Sequence, residues 1–353
     1  MAIVQTPRLW RVFIPLVLGL LVVAGPTWAR EVTDQVGNKV TIPDTISRAV
    51  VLEHHALDVI VELGAQDQVV GVMRDWQKQL GKGFARLAPG FEKLSEPGDL
   101  KTVNVEELLS LKPDVVIVTH YAPEDMLKQI RAAGIPVVQV AFFAAPPEEA
   151  KKLNPTLTDE KKSYWDGVVG AVNLLGAVFG KEDGAHKLVA YMTRERALVD
   201  QRTANLPEEG RTTLYMANPD LTTYGSGKYT GVIMDQAGGL NVARTVKGYG
   251  KVTMEQVLAW NPDVIIVQDR YEPVAAEIRK DAAWQSVAAV KNDRIYVTPE
   301  YVKPWGHPVP ESIALGEIWM AKMLHPDLFK DIDLDKNAQD FYQAFYRTDY
   351  VAK

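Results

Sequence analysis

Residues 101–118 read KTVNVEELLSLKPDVVIV, and residues 250–267 read GKVTMEQVLAWNPDVIIV. The offset of 149 aligns Glu106 with Glu255, Leu109 with Leu258, Pro113 with Pro262 and Asp114 with Asp263. Each copy passes from a short amphipathic helix through a Pro-Asp turn into an unbroken apolar run. Such a run, Val115–Val118 or Val264–Val267, suits a strand buried on both faces, as in a parallel sheet covered by helices. Few folds hold two copies of this unit: the chain must build the same β-α layer twice.

A second echo precedes each copy. Ala49–Glu53 is a strand leading to a helix near 57–63 that ends at Gly64. Thr212–Ala217 is a strand leading, after a longer loop, to a helix near 231–237 that ends at Gly238-Gly239. Glycine just past the last turn is a C-terminal cap. Helix 130–133 then leads to strand 136–142 in the first half, and helix 282–290 to strand 294–298 in the second. Alternation of this kind implies right-handed crossovers and parallel sheets. The expected fold is α/β: two Rossmann-like lobes, residues 30–158 and 206–353, with a ligand cleft between them. Residues 159–205 form a helical linker. Its apolar positions recur at helical spacing, Gly180 interrupts it, and the proline-free remainder predicts a helix of ~23 residues, roughly 34 Å long. A rigid linker of that length predicts closure of small amplitude.

Residues 1–29 read as a cleaved export signal. Arg8 and Arg11 form the charged region, Val12–Ala24 the apolar core, and Gly25 to Ala29 the break and cut site. The apolar run is shorter than the ~20 residues that span a bilayer. Removal takes the net charge from −6 to −8. That sign argues against a nucleic-acid partner. The 353 residues contain no cysteine, which excludes a disulfide scaffold, a zinc-thiolate site, an iron–sulfur cluster and a lipid-anchoring cysteine. The expectation is a monomeric protein of the bacterial periplasm with no membrane anchor and no resident cofactor.

In open α/β sheets, ligands bind beyond the carboxyl ends of the strands. The residues delivered there are His54 and His55; Arg74 and Trp76; His120 and Tyr121; Tyr224 and Lys228; Arg270 and Tyr271; and Trp305 and His307. Four of the chain's six histidines fall in this set. Histidine and tyrosine suit iron(III) and other fairly hard metals. Arginine and lysine suit an anionic chelate or oxoanion, and the aromatic rings suit a flat organic ligand. No single histidine is assigned as a metal ligand. His54 and His55 are neighbours, and on an extended backbone only one of them can face the cleft. The run Gly225 to Thr230 hints at a phosphate loop, but Thr222 and Tyr229 stand where that motif needs glycine and serine or threonine. The aromatic tail, Phe341, Tyr342, Phe345 and Tyr346, is expected to pack on the second lobe.

Several stretches together resemble the helical-backbone (class III) periplasmic binding proteins of ABC importers for iron–siderophores, haem, cobalamin and molybdate. They are Asn104–Val115, its partner Glu255–Val264, Ser226-Gly227-Lys228 before the helix ending Gly238-Gly239-Leu240-Asn241, and the tail from Trp305 through Pro310-Glu311, Leu315-Gly316 and Trp319 to His325-Pro326 and Phe329. The resemblance spans nearly all of the chain beyond the leader. It implies a non-enzymatic receptor that delivers its ligand to a permease dimer with an ATPase, docked through one acidic residue on each lobe, Glu106 and Glu255. An iron(III) chelate is the leading ligand, an oxoanion such as molybdate the alternative, and haem, cobalamin or a nickel chelate remain open. Rivals of another class are a periplasmic metal-dependent enzyme, using Asp75 or Asp269 as base, and a metallochaperone.

Overall fold

The computed structural model describes residues 1–2, 29–81, 83–207 and 209–352. The leader expected over residues 1–29 therefore lies almost wholly outside the described residues. Among the described residues, no helix is long and apolar enough to cross a membrane.

A hairpin of β1 (Ala29–Thr33) and β2 (Lys39–Pro43) precedes the first lobe. The lobe's sheet contains β3 (Ala49–Val51), β4 (Val69–Met73), β5 (Ser95–Gly98), β6 (Val115–Thr119) and β7 (Val137–Val140), all parallel, in the order β5-β4-β3-β6-β7. The second lobe contains β8 (Thr213–Ala217), β9 (Thr222–Tyr224), β10 (Leu240–Asn241), β11 (Tyr249–Lys251), β12 (Val264–Val267) and β13 (Ile295–Val297). Its parallel sheet runs β10-β8-β12-β13, and β9 and β11 form a separate antiparallel pair.

The repeat is structural. β6 lies beside β3, with Val115 opposite Ala49, and β12 lies beside β8, with Val264 opposite Leu214. The Pro-Asp turns play the same part in both lobes. Asp114 Oδ2 accepts the Ser47 and Arg48 amides at 2.8 Å each. Asp263 Oδ2 accepts the Thr213 amide at 2.9 Å and its hydroxyl at 2.8 Å. Each aspartate thus ties the start of one central strand to the start of its neighbour. The runs that follow, Val115–Thr119 and Val264–Val267, are wholly buried.

The linker breaks at Gly180 as expected, and the helix expected after it is Glu182–Thr203; what differs is that the linker is not one rigid rod between the lobes. It is two helices, Glu160–Phe179 and Glu182–Thr203, separated at Gly180, which takes the left-handed conformation (φ 64°). The helices fold back on one another, with Gly176 set so close to Ala185 that a Cβ there would overlap it. The first helix touches both lobes: Gly167 lies against the backbone of Phe143, and the Tyr164 hydroxyl donates to Gly227 O at 2.8 Å. The aromatic tail packs on the second lobe as expected, with the Tyr346 hydroxyl 3.0 Å from Glu311 and the Tyr301 and Tyr350 rings 5.6 Å apart, but it does more. It crosses to the first lobe, where the Tyr346 hydroxyl donates to Asp58 at 2.8 Å and the Arg347 guanidinium donates to Glu62 O at 3.1 Å. The helix His54–Glu62 presents the buried carboxylates of Asp58 and Glu62 to the tail: the Tyr346 hydroxyl lies 2.8 Å from the first and 3.4 Å from the second, while the Arg347 guanidinium binds the helix's terminal backbone carbonyls.

Candidate functional site: a cavity between the lobes

The strand ends of the two lobes face one another around a cavity of about 350 Å³. That is at the small end of the ~300–1,000 Å³ typical of small-molecule sites. The first lobe contributes Glu53, His54, His55, His120, Tyr121 and Phe142, and the second contributes Tyr224, Lys228, Arg270, Trp305 and His307.

Glu53 follows β3 and caps the helix His54–Glu62. Its Oε2 accepts the Ala56 amide at 2.6 Å, and its Oε1 lies 2.6 Å from His55 Nδ1 and 3.5 Å from His54 Nδ1. The helix therefore begins at His54, earlier than the sequence suggests. This corrects the expected alternation of the two histidines. On a helical first turn neighbours differ by about 100° rather than 180°, and both rings line the cavity, their centroids 4.0 Å apart. β6 delivers His120, whose Nε2 lies 3.2 Å from Lys152 O. His307 is parallel to Phe143 at 5.5 Å and edge-on to His120 at 5.4 Å.

Arg270 follows β12. Its Nε donates to Gln268 Oε1 at 2.8 Å, and its Nη1 crosses to the first lobe to donate to Gln79 O at 2.7 Å. Its guanidinium carbon lies 5.1 Å from the Trp305 ring centroid. Lys228 also crosses the cleft, donating to Leu153 O at 2.9 Å. The Trp305 indole N–H is buried and has no acceptor among the described residues; His55 Nε2 and His307 Nδ1 are likewise unpartnered there.

Three sequence candidates lie elsewhere. Asp75 takes a left-handed conformation (φ 60°) just after β4 and turns the chain away from the cleft. Trp76 is thereby buried in the first lobe's core, edge-on to Phe84 and Phe91 at 6.2 and 5.9 Å. Arg74 is exposed and pairs with Asp99 at 3.4 Å. Tyr271 flanks the Arg270 guanidinium at 5.1 Å, behind it rather than in the cavity wall. Glu53 and Phe142 were not sequence candidates. The signal for Glu53 was an acidic residue three positions before the helix amide that it caps.

Burial governs the charges. It lowers His55 to about 3 and His120 to about 4, and holds His54 and His307 well below the ordinary imidazole range. It raises Glu53, lifts Tyr121 to about 12 and lowers Lys228 to about 8. Near neutrality the cavity wall thus presents neutral imidazoles beside the cations of Arg270 and Lys228. Glu53, His54 and His55 can bring one donor atom each within 4.8 Å of one another. A bare cation does not fit that trio well: Glu53 is committed to the helix and to His55, and two cationic side chains share the cavity. An anion finds donors there, and among the described residues of the wall the one carboxylate, Glu53, is already engaged.

A periplasmic binding protein family model matches residues 50–302. The molybdate-binding protein MolA of Haemophilus influenzae is 51% identical over 322 residues, covering 91% of this chain and 92% of that protein. The structure of MolA with molybdate superposes with a TM-score of 0.90 over 91% of this chain and 99% of that one. A periplasmic solute-binding protein from Veillonella parvula superposes with a TM-score of 0.73 at 26% identity, over 92% of this chain and 94% of that one. The Fe(3+)-citrate-binding protein YfmC of Bacillus subtilis is 25% identical over 274 residues, 76% of this chain and 78% of that protein. The duplicated α/β lobes, the helices joining them and the cavity between their strand ends are those of a solute receptor rather than an enzyme, and the chain belongs to the periplasmic binding protein family.

Proposed function

We propose that this protein captures a tetrahedral oxoanion of the molybdate and tungstate class and delivers it to an ABC permease. The observation that carries the reading is the Trp305 indole N–H. It can only donate, it is buried, and no described residue accepts from it. An oxoanion offers acceptors in every direction, and Arg270 and Lys228 supply the opposite charge in the same cavity. Fixed dipoles and buried cations of this kind bind anions without a metal bridge. The size of the cavity and the likeness to MolA support the same ligand. The order expected from the sequence, iron(III) chelate ahead of oxoanion, is therefore reversed.

Delivery through Glu106 and Glu255 belongs to the same proposal. Both are exposed at the second position of equivalent helices, Val105–Ser110 and Met254–Trp260. Asn104 caps the first helix and Thr253 the second. An exposed leucine stands three residues on in each, Leu109 and Leu258. Export through a cleaved leader fits this role.

Titration calorimetry of the purified protein with molybdate, tungstate, sulfate, ferric citrate and cobalamin tests the ligand class. Saturable one-to-one binding of molybdate and tungstate is expected, with no heat from ferric citrate or cobalamin. Binding of either of the latter two in preference to the oxoanions overturns the reading.

A further inference from the structure

The bond between Glu53 and His55 fixes which face of the imidazole carries hydrogen. Glu53 Oε2 is occupied by the Ala56 amide, so the 2.6 Å contact between Oε1 and His55 Nδ1 contains the one hydrogen that those two atoms share. The His55 ring lines the cavity, and its Nε2 is buried without a partner among the described residues. While the pair holds a single proton, Nε2 is a lone pair. A lone pair beside an oxygen of a dianion is repulsive; the same atom carrying a hydrogen is a donor.

We infer that Glu53 is a positioning residue that makes oxoanion capture proton-linked: the anion enters with one proton, taken from solvent, which leaves Nε2 of His55 as an N–H donor to an anion oxygen. This rests on the oxoanion reading above. The balance is simple. The added proton gives the pair two, held either as carboxylate and imidazolium or as carboxylic acid and the other neutral tautomer, and Nε2–H faces the cavity in both.

The surroundings of His55 set the direction of the linkage. On its own helix it faces Glu53, His54 and Asp58. From the other elements it faces Arg270, Lys303, Lys228, His307 and the edge of Trp305. In the empty protein, burial keeps it unprotonated down to about 3; Asp58 opposes this, and Arg270, Lys303 and Lys228 reinforce it. A dianion a few ångströms away at an effective dielectric constant of ~20 raises the proton affinity of a neighbouring base by several powers of ten. The complex therefore holds a proton that the free protein lacks, and affinity falls as pH rises from about 3, where His55 titrates in the free protein, up to its raised value in the complex.

The test is calorimetry with molybdate between pH 6.0 and 7.5, repeated in buffers of different ionisation enthalpy. Lys228, lowered to about 8, keeps most of its charge over this range, and the His55→Gln control separates any proton it takes up. The expected result for the intact protein is uptake of close to one proton per anion, with the dissociation constant rising up to tenfold per pH unit. His55→Gln, whose amide donates at any pH, is expected to bind more weakly, without proton uptake and with a flat pH profile. Glu53→Gln is expected to lower the uptake at a given pH. Tight molybdate binding with no proton uptake overturns this inference and leaves the oxoanion reading intact. Full uptake retained in His55→Gln also overturns it, by placing the proton elsewhere. Absence of molybdate binding at every pH overturns the oxoanion reading, and this inference with it.

Discussion

At Trp305 the oxoanion proposal rests on a single side chain. The indole needs an acceptor when buried, and its surroundings supply rings and cations instead: His54 at 5.9 Å, His55 at 5.6 Å and the Arg270 guanidinium carbon at 5.1 Å. Trp305→Phe keeps most of the ring and removes the donor. Hydrogen bonds to charged groups are worth ~1.5–3 kcal/mol, so molybdate affinity should fall by roughly 10- to 150-fold, read by calorimetry, with the melting temperature little changed. Unchanged affinity would show that the indole does not touch the anion. At this scale the sequence is legible wherever a residue follows directly from the end of a strand. His120 follows β6 and Arg270 follows β12, and both reach the cavity. Arg74 and Trp76 fail that logic because Asp75 adopts a left-handed turn, and nothing in Arg-Asp-Trp announces it. The pairing of Glu53 with His55 was equally hidden, since it depends on where the helix begins.

The elements follow from the repeat because the same physical demand recurs at each copy. A strand covered by helices on both faces must be apolar throughout, and its first residue must be anchored. The runs at β6 and β12 meet the first demand, and Asp114 and Asp263 meet the second. The linker was less legible. Gly180 marks the break in the sequence, but whether the chain bends slightly there or doubles back depends on what the two helices pack against. The close approach of Gly176 to Ala185, and of Gly167 to the Phe143 backbone, lets the pair lie tightly on the lobes. Gly167→Ala places a Cβ where the Phe143 backbone now sits. Overpacking of this kind costs ~1–3 kcal/mol or more where backbone cannot yield. Thermal unfolding should show a melting temperature lower by several degrees; a wild-type value would mean that the helix can move away from the lobe. Phe143 adjoins Phe142 in the cavity wall and stacks on His307, so weaker ligand binding should accompany the loss.

Across the whole molecule the lobes are joined by more than the linker. Lys303, from the second lobe, is buried and donates to Asp58 of the first at 2.7 Å. It also pairs with Glu311, while the Tyr346 hydroxyl, with one hydrogen to give, lies between Asp58 at 2.8 Å and Glu311 at 3.0 Å. Burial works against the Lys303 charge, but these two carboxylates outweigh it and hold the amine firmly protonated. A buried cation between two acids resists separation, because parting them would strand charges in a poorly hydrated interior. The cluster therefore ties the second lobe directly to the first, apart from the linker. Glu106→Arg with Glu255→Arg, both remote from the cavity wall, should leave molybdate affinity and melting temperature unchanged and abolish molybdate uptake by vesicles containing the cognate permease and ATPase. Uptake at the wild-type rate would remove these residues from docking. The sequence by itself determined the duplicated α/β layers, their buried strands and the meeting of two sets of strand ends, because apolar periodicity and turn chemistry act over a few neighbouring residues. Tertiary structure alone decided the doubled-back linker, the tail's crossing to the first lobe, the Lys303 cluster and which nitrogens lack partners. Each of these depends on groups far apart in the chain, and on the low-dielectric interior that makes an unpaired polar atom costly only once the fold has excluded water from it.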